Sequence, residues 1–148
     1  MPWPFPFNIV VIPIIVFAVA QGLKIVTKSL RGYSGMKAVA AYGGMPSAHT
    51  AFTVSMATLA GLVAGFNSVP FMITVVMALL IIRDALGLRM HLSEHSKVLN
   101  RMIKDANGVD QKKYPFLGER LGHTWPEVIV GAIIGIGLTW LLWLMFVG

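Results

Sequence analysis

Four stretches of almost unbroken apolar sequence, 8–26, 47–65, 70–88 and 127–146, decide what this chain can fold into. Each approaches the ~20 residues that a helix needs to cross the ~30 Å hydrocarbon layer of a bilayer, where backbone polar groups must be paired internally. Of the 148 residues, 56% are hydrophobic and only 12% are charged, a pairing that soluble globular domains rarely show. The expected fold class is therefore all-α, an integral membrane helical bundle of about four transmembrane helices. A single membrane domain over 1–148 is the natural count at this length. The chain has no cysteine, which excludes disulfides and thiolate metal sites.

Between the spans the sequence changes character. Pro2, Pro4 and Pro6 alternate with Trp3, Phe5 and Phe7, which suits aromatic rings at a membrane boundary, and no basic residue precedes the first span as in a signal peptide. Pro13 reads as a tolerated kink. Lys24 to Tyr42 carries Lys24, Lys28, Arg31 and Lys37 without an acid and reads as a basic hydrophilic connection. Thr50, Thr53, Ser55 and Thr58 supply small polar groups for bonds to backbone or to a neighbouring helix. The pairs Gly61/Gly65 and Gly131/Gly135 have close-packing spacing and are compatible with a homodimer. Arg83, Asp84 and Arg89 end the third span, where ionisable groups should face the bundle, water or each other. From Met90 to Lys104, Leu92, Val98, Leu99, Met102 and Ile103 recur at roughly helical spacing, with Lys97, Arg101 and Lys104 on other faces. This pattern predicts an amphipathic interfacial helix.

All 12 Lys and Arg residues lie in, or at the edges of, the connections after the first and third spans. With four spans these lie on one side, and the positive-inside rule makes that side the cytoplasm of a multi-pass cell-membrane protein. The formal charge of +6 then points to membrane lipids and an anionic lipid, not to nucleic acid. The same count brings His49, His123, Lys24, Arg31, Asp84 and Arg89 to one membrane face.

Gly43-Gly44-Met45-Pro46-Ser47-Ala48-His49-Thr50 opens the second span. Ser47 is a favoured N-cap, and a helix N-terminus offers N–H groups to an anion. His49 lies one turn inside. Gly118 to Glu127 forms a second polar cluster before the last span, in which Glu127 follows His123 by four residues and can hold one imidazole nitrogen. Two histidines, a cluster of cations and a helix N-terminus suit phosphoryl transfer, and that scheme requires no metal or other cofactor.

The signatures Gly-Gly-Met-Pro-Ser-Ala-His, Asp84-Ala-x-Gly-Leu-Arg89 and Leu121-Gly-His-Thr-x-x-Glu-Val resemble those of the divergent membrane branch of the type-2 phosphatidic acid phosphatase superfamily, which is related to acid phosphatases and vanadium haloperoxidases. The resemblance spans nearly the whole chain. It implies that Lys24 and Arg31 bind phosphate, that Ser47 and Ala48 belong to the phosphate-binding motif, and that His49 is the general acid. His123 matches the nucleophile, and Glu127 stands where the motif has its orienting Asp. Asp84 and Arg89 belong to the second signature and join the candidate substrate-binding set. Besides Glu127, three positions depart from the pattern: Gly32 replaces Pro, Ala48 replaces the common Gly, and Leu117 occupies the place of an Arg six residues before the nucleophile. Arg120 and Arg89 are the candidates to supply that charge. Four spans also stand where the superfamily's lipid phosphatases usually have six.

The leading expectation is a membrane phosphatase acting on a lipid phosphate or pyrophosphate through a phosphohistidine on His123. The alternative keeps the anion site without turnover, as a non-catalytic phosphate- or anionic-lipid-binding membrane protein. Two further readings are a metalloprotease, from His91-Leu92-Ser93-Glu94-His95, and a small-solute transporter lined by the polar groups between spans. Asp105, Asn107 and Asp110 do not form a calcium loop, since the glycine and the final Glu are misplaced.

Overall fold

The computed structural model describes residues 7–30, 32, 43–106 and 113–147, and is all-helical there. A 3-10 turn, Phe7–Val10, leads into α1 (Val11–Ser29); α2 (Ala48–Ala64), α3 (Val69–Leu86), α4 (Leu88–Asp105) and α5 (Trp125–Phe146) follow in chain order. Local chemistry sets several of these boundaries. Ser47 and Ser68 cap α2 and α3, accepting from the N–H groups of Thr50 and Phe71 at 3.4 and 3.3 Å. Gly65, at φ +88°, ends α2. Gly87 breaks the chain between α3 and α4, and its N–H closes α3 on the Arg83 carbonyl at 2.8 Å.

Three helical segments are long and apolar enough to cross a membrane: α1, α3 running on into α4, and α5. The shorter α2 has 17 residues, roughly 25 Å. It is the centre of the bundle, packed by α1, α3 and α5. Its small residues make that possible. A Cβ on Gly131 would lie 2.5 Å from the Ser47 carbonyl oxygen, and one on Gly135 would lie 2.7 Å from that of Ala51, so α5 meets α2 almost backbone to backbone. Farther along the same seam Thr139 Oγ1 donates to Ser55 Oγ at 2.6 Å, with both residues fully buried. On the other side of α2, Ile12, Val16 and Ala20 of α1 pack with Ala48, Ala51 and Leu59. The outward faces carry exposed Ile14, Leu79, Leu80, Ile133 and Leu144, as expected of surfaces that meet lipid. The protein is thus a membrane helical bundle.

Several expectations change in detail. Pro13 lies in the first turn of α1, directly after the 3-10 turn, where a missing N–H is tolerated. The first helix continues to Ser29, so Lys24 and Lys28 belong to its buried face and not to a hydrophilic connection. Gly131 and Gly135 are used against α2 within the chain, and Gly61 lies under the Phe66 ring, so these glycines carry no argument for a second copy. The amphipathic helix extends over α4, with Leu92, Val98 and Met102 exposed while Ser93 and Ser96 face the protein. The aromatic start at 1–6, Arg31, Lys37 and the 107–112 part of the rejected calcium loop lie outside the described residues.

Candidate functional site

The two polar signatures meet at one end of the bundle because the backbone ties them together. The Ser47 N–H donates to the Glu127 carbonyl at 2.9 Å, joining the entry of α2 to the first turn of α5. The His123 N–H donates to the Ala85 carbonyl at 3.0 Å, fastening the loop before α5 to the end of α3. Gly43 has φ +68°, and a Cβ there would lie 2.9 Å from the Gly122 carbonyl oxygen. Only glycine lets these two loops approach so closely.

At the centre, His123 Nδ1 lies 3.0 Å from Glu127 Oε2, with each side chain only 5% exposed. A carboxylate accepts and does not donate, so the bond fixes the proton on Nδ1 and leaves Nε2 with its lone pair. Glu127 is itself held firmly: Oε2 also accepts from the Thr124 N–H at 3.2 Å, and Oε1 from Arg120 Nη2 at 3.3 Å. The four-residue spacing thus does what the sequence predicts for it.

Around this pair the cations converge. Arg120 lies across Gly43, its Cγ and Nε each 3.6 Å from where a Cβ would stand. Lys24 and Lys28, one turn apart on α1, are 9% and 6% exposed, and the Lys28 chain passes Gly44. The neighbouring Thr27 hydroxyl donates to the Met45 carbonyl and pins this turn of α1 to the glycine loop. The charge of Glu127 acts on both lysines, and that of Arg120 acts on Lys28. His49 is exposed at the start of α2, edge-on to Phe17, within electrostatic reach of Arg89, Lys24 and His123. Arg89 Nε donates to Asp84 Oδ2 at 2.7 Å, so these two candidates pair with each other. Ser47 is fully buried and its hydroxyl meets Thr50 Oγ1 at 2.9 Å, while the Ala48 side chain packs into the core.

His123, Glu127, Arg120, Lys24, His49 and Arg89 are therefore brought together, with Ser47 and Ala48 forming the helix start beside them. Lys28 joins them, although hydropathy alone assigns it to a connection. Its place four residues after Lys24 is the signal that puts both on one helix face.

The loop that carries the histidine is braced by α4. Leu121 N–H donates to Ser93 Oγ at 2.9 Å. Asn100 grips Leu117 from both sides, donating to its carbonyl at 2.9 Å and accepting from its N–H at 3.1 Å, and donates to Glu119 Oε1 at 2.9 Å. The position that lacks the expected Arg is thus occupied by a residue held through its backbone. His91 and Glu94, part of the metalloprotease-like pattern, are 3.7 Å apart on the exposed side of α4, and no group of three metal-binding side chains occurs among the described residues.

A family model described as the Divergent PAP2 family matches residues 7–138. An uncharacterized membrane protein of Bacillus subtilis (strain 168), YuiD, is 33% identical over 115 residues, which cover 70% of this chain and 73% of the relative. No solved structure matches the chain.

Proposed function

The chain belongs to the divergent PAP2 family, and from that premise we propose that it is a membrane phosphatase for a lipid phosphate or pyrophosphate, working through a phosphohistidine on His123. The observation that carries the reading is the buried His123–Glu127 pair, which leaves Nε2 as a nucleophile beside Lys24, Lys28 and Arg120. In the first step Nε2 attacks phosphorus, the bond from phosphorus to the lipid oxygen breaks, and His49 gives its proton to the departing alkoxide or phosphate. In the second step water, losing a proton to His49, attacks phosphorus, and the P–N bond breaks to release inorganic phosphate and His123. The cations and the N–H groups at the start of α2 hold the oxygens as charge develops on them. Glu127 keeps the imidazole in its reactive tautomer and balances the positive charge on the phosphorylated ring.

The site sits at the membrane end that gathers the basic residues, so the reading assigns it to the cytoplasmic face and to an anionic lipid in that leaflet. The test is phosphate release, in chelator, from phosphatidic acid, phosphatidylglycerol phosphate and polyprenyl pyrophosphate by detergent-purified protein. Release should be lost in His123→Ala and in His49→Ala while both variants stay folded. Release that survives both changes refutes the mechanism. Absence of release, together with stabilisation by phosphate, selects the binding protein without turnover, for which Leu117 in place of an Arg is the observation.

A further inference from the structure

We infer that the outer face of α4 docks on the headgroup layer of an anionic leaflet, that His91 and His95 supply the cations of that contact when protonated, and that the contact steadies the loop leading to His123. Nothing in this contact depends on turnover.

Leu88, His91, Leu92, His95, Leu99 and Met102 recur at steps of three, four and seven residues, the spacing of one helical face, and all six are exposed. Four large apolar side chains on one exposed face call for a cover, and the fold places lipid beside them. α4 follows α3 through the single residue Gly87, at the end of the bundle that gathers the basic residues. Leu79 and Leu80 of α3 already face outward to lipid, so the apolar face of α4 continues a lipid-facing surface. Phe116, next to the Leu117 that Asn100 holds, is 79% exposed and extends the apolar surface beyond the helix.

The cationic groups of this face are the two histidines. Lys97, Arg101 and Lys104 fall on other sides of the helix, and Arg89 is paired with Asp84. Glu94 is the acid beside the pair, 3.7 Å from His91. α3 ends in Arg83 and Asp84, and the loop before α5 carries Lys113, Tyr114, Glu119, Arg120 and His123. Among the described residues none of these bonds to either histidine. The charge that α4 turns to a leaflet is thus set by imidazole, the side chain that changes charge between about pH 5 and 8. Over zwitterionic lipid, protonation opposes burial of the face, because charge is costly to desolvate. Over an anionic leaflet the headgroups reverse the sign, each cation near the surface being worth about fivefold in the docking equilibrium.

The inner face of α4 carries the consequence to the site. Leu117 and Leu121 both donate their N–H groups to α4, to Asn100 Oδ1 at 3.1 Å and to Ser93 Oγ at 2.9 Å. A Cβ on Gly122 would lie 2.9 Å from Met90 Sδ. The loop therefore lies along α4 from Asn100 back to Met90, about 15 Å of helix, immediately before His123. A helix held on the leaflet holds this loop, and a helix that lifts away about Gly87 pulls on the same three contacts.

The chain has no cysteine, so Leu99→Cys gives a single attachment point on the face for an environment-sensitive fluorophore. Labelled full-length protein is placed, one copy per nanodisc and in chelator, in phosphatidylcholine or in equal parts phosphatidylcholine and phosphatidylglycerol. Emission is read at about pH 5.5 and about pH 7.5, on either side of histidine titration. In the anionic discs acid should shift the equilibrium toward the buried label by up to about thirtyfold, two charges at about fivefold each. In phosphatidylcholine acid should shift it the other way. In unlabelled protein, exchange of the Leu117 and Leu121 amides, corrected for its intrinsic pH dependence, should slow wherever the label is buried. His91→Gln made together with His95→Gln, both at exposed positions, should abolish the acid response in both lipids. Emission that ignores acid, that responds alike in the two lipids, or that still responds in the double variant overturns the inference, as does docking without a change in amide exchange. A label buried only in discs that hold two copies assigns the face to a second copy of the chain and overturns it as well.

Discussion

Replacing Glu127 by Gln keeps the size of the side chain and removes its charge, and the hydrogen bonds around it set the cost. Glu127 Oε2 accepts from both His123 Nδ1 and the Thr124 N–H, and Oε1 accepts from Arg120. Glutamine has a single acceptor oxygen. If that oxygen stays with His123, the amide NH2 faces Arg120, donor against donor. If it turns to Arg120, the NH2 donates to Nδ1, and the imidazole must carry its proton on Nε2, the atom that is to attack. Either arrangement also removes the negative charge beside the phosphorylated ring. A charge-assisted hydrogen bond contributes about 1.5–3 kcal/mol, and a carboxylate-to-amide change behind a catalytic histidine is worth up to about 10⁴ in rate. Glu127→Gln should therefore lower kcat by about 10²–10⁴, roughly 3–5 kcal/mol in barrier height. Phosphate should still stabilise the protein, since the lysines and Arg120 remain. Stopped assays of phosphate release measure the first quantity, and thermal unfolding with phosphate measures the second. Nitrogen NMR of labelled histidine reads the tautomer of His123 directly. A kcat within about threefold of wild type, in protein whose His123 keeps its proton on Nδ1, refutes the orienting role of Glu127.

Other consequences concern the scaffold. Gly131→Ala places a methyl group 2.5 Å from the Ser47 carbonyl oxygen and should cost about 1–3 kcal/mol of overpacking, read as a lower unfolding temperature in detergent together with weaker phosphate binding. Asn100→Ala removes three hydrogen bonds to Leu117 and Glu119, each worth about 1 kcal/mol, so amide exchange at Leu117 and its neighbours should accelerate while the α2–α5 seam stays protected. Thr139→Val leaves the buried Ser55 hydroxyl without its partner and should destabilise by about 1–2 kcal/mol, and Ser55→Ala made in the same chain should recover part of that loss.

What the sequence discloses depends on the range of the interaction. The N-cap at Ser47 and the pairing of His123 with Glu127 are contained within one helical turn, and both are legible from residue type and spacing. The membrane bundle is legible too, because the apolar stretches carry it with little help from tertiary context. Lys28 is not, because its role depends on where α1 ends. Hydropathy reads a lysine as the edge of a span, whereas the helix continues to Ser29 and turns that lysine inward. The small-residue spacing of Gly131 and Gly135 is visible, but periodicity does not name the surface it meets, and that surface is α2 of the same chain. The approach of Gly43 to Gly122, and the grip of Asn100 on Leu117, join distant parts of the chain and leave no local pattern.

The central claim is that a covalent bond forms between phosphorus and His123. Its most direct test is to mix protein with a lipid phosphate radiolabelled on phosphorus, quench within one turnover under alkaline conditions that preserve phosphohistidine, and locate the label by peptide mapping. The account predicts a label on His123 that is lost in acid, accumulates when release of phosphate is slowed, and is missing in His123→Ala. Turnover with no label on His123, or with the label on another residue, contradicts it.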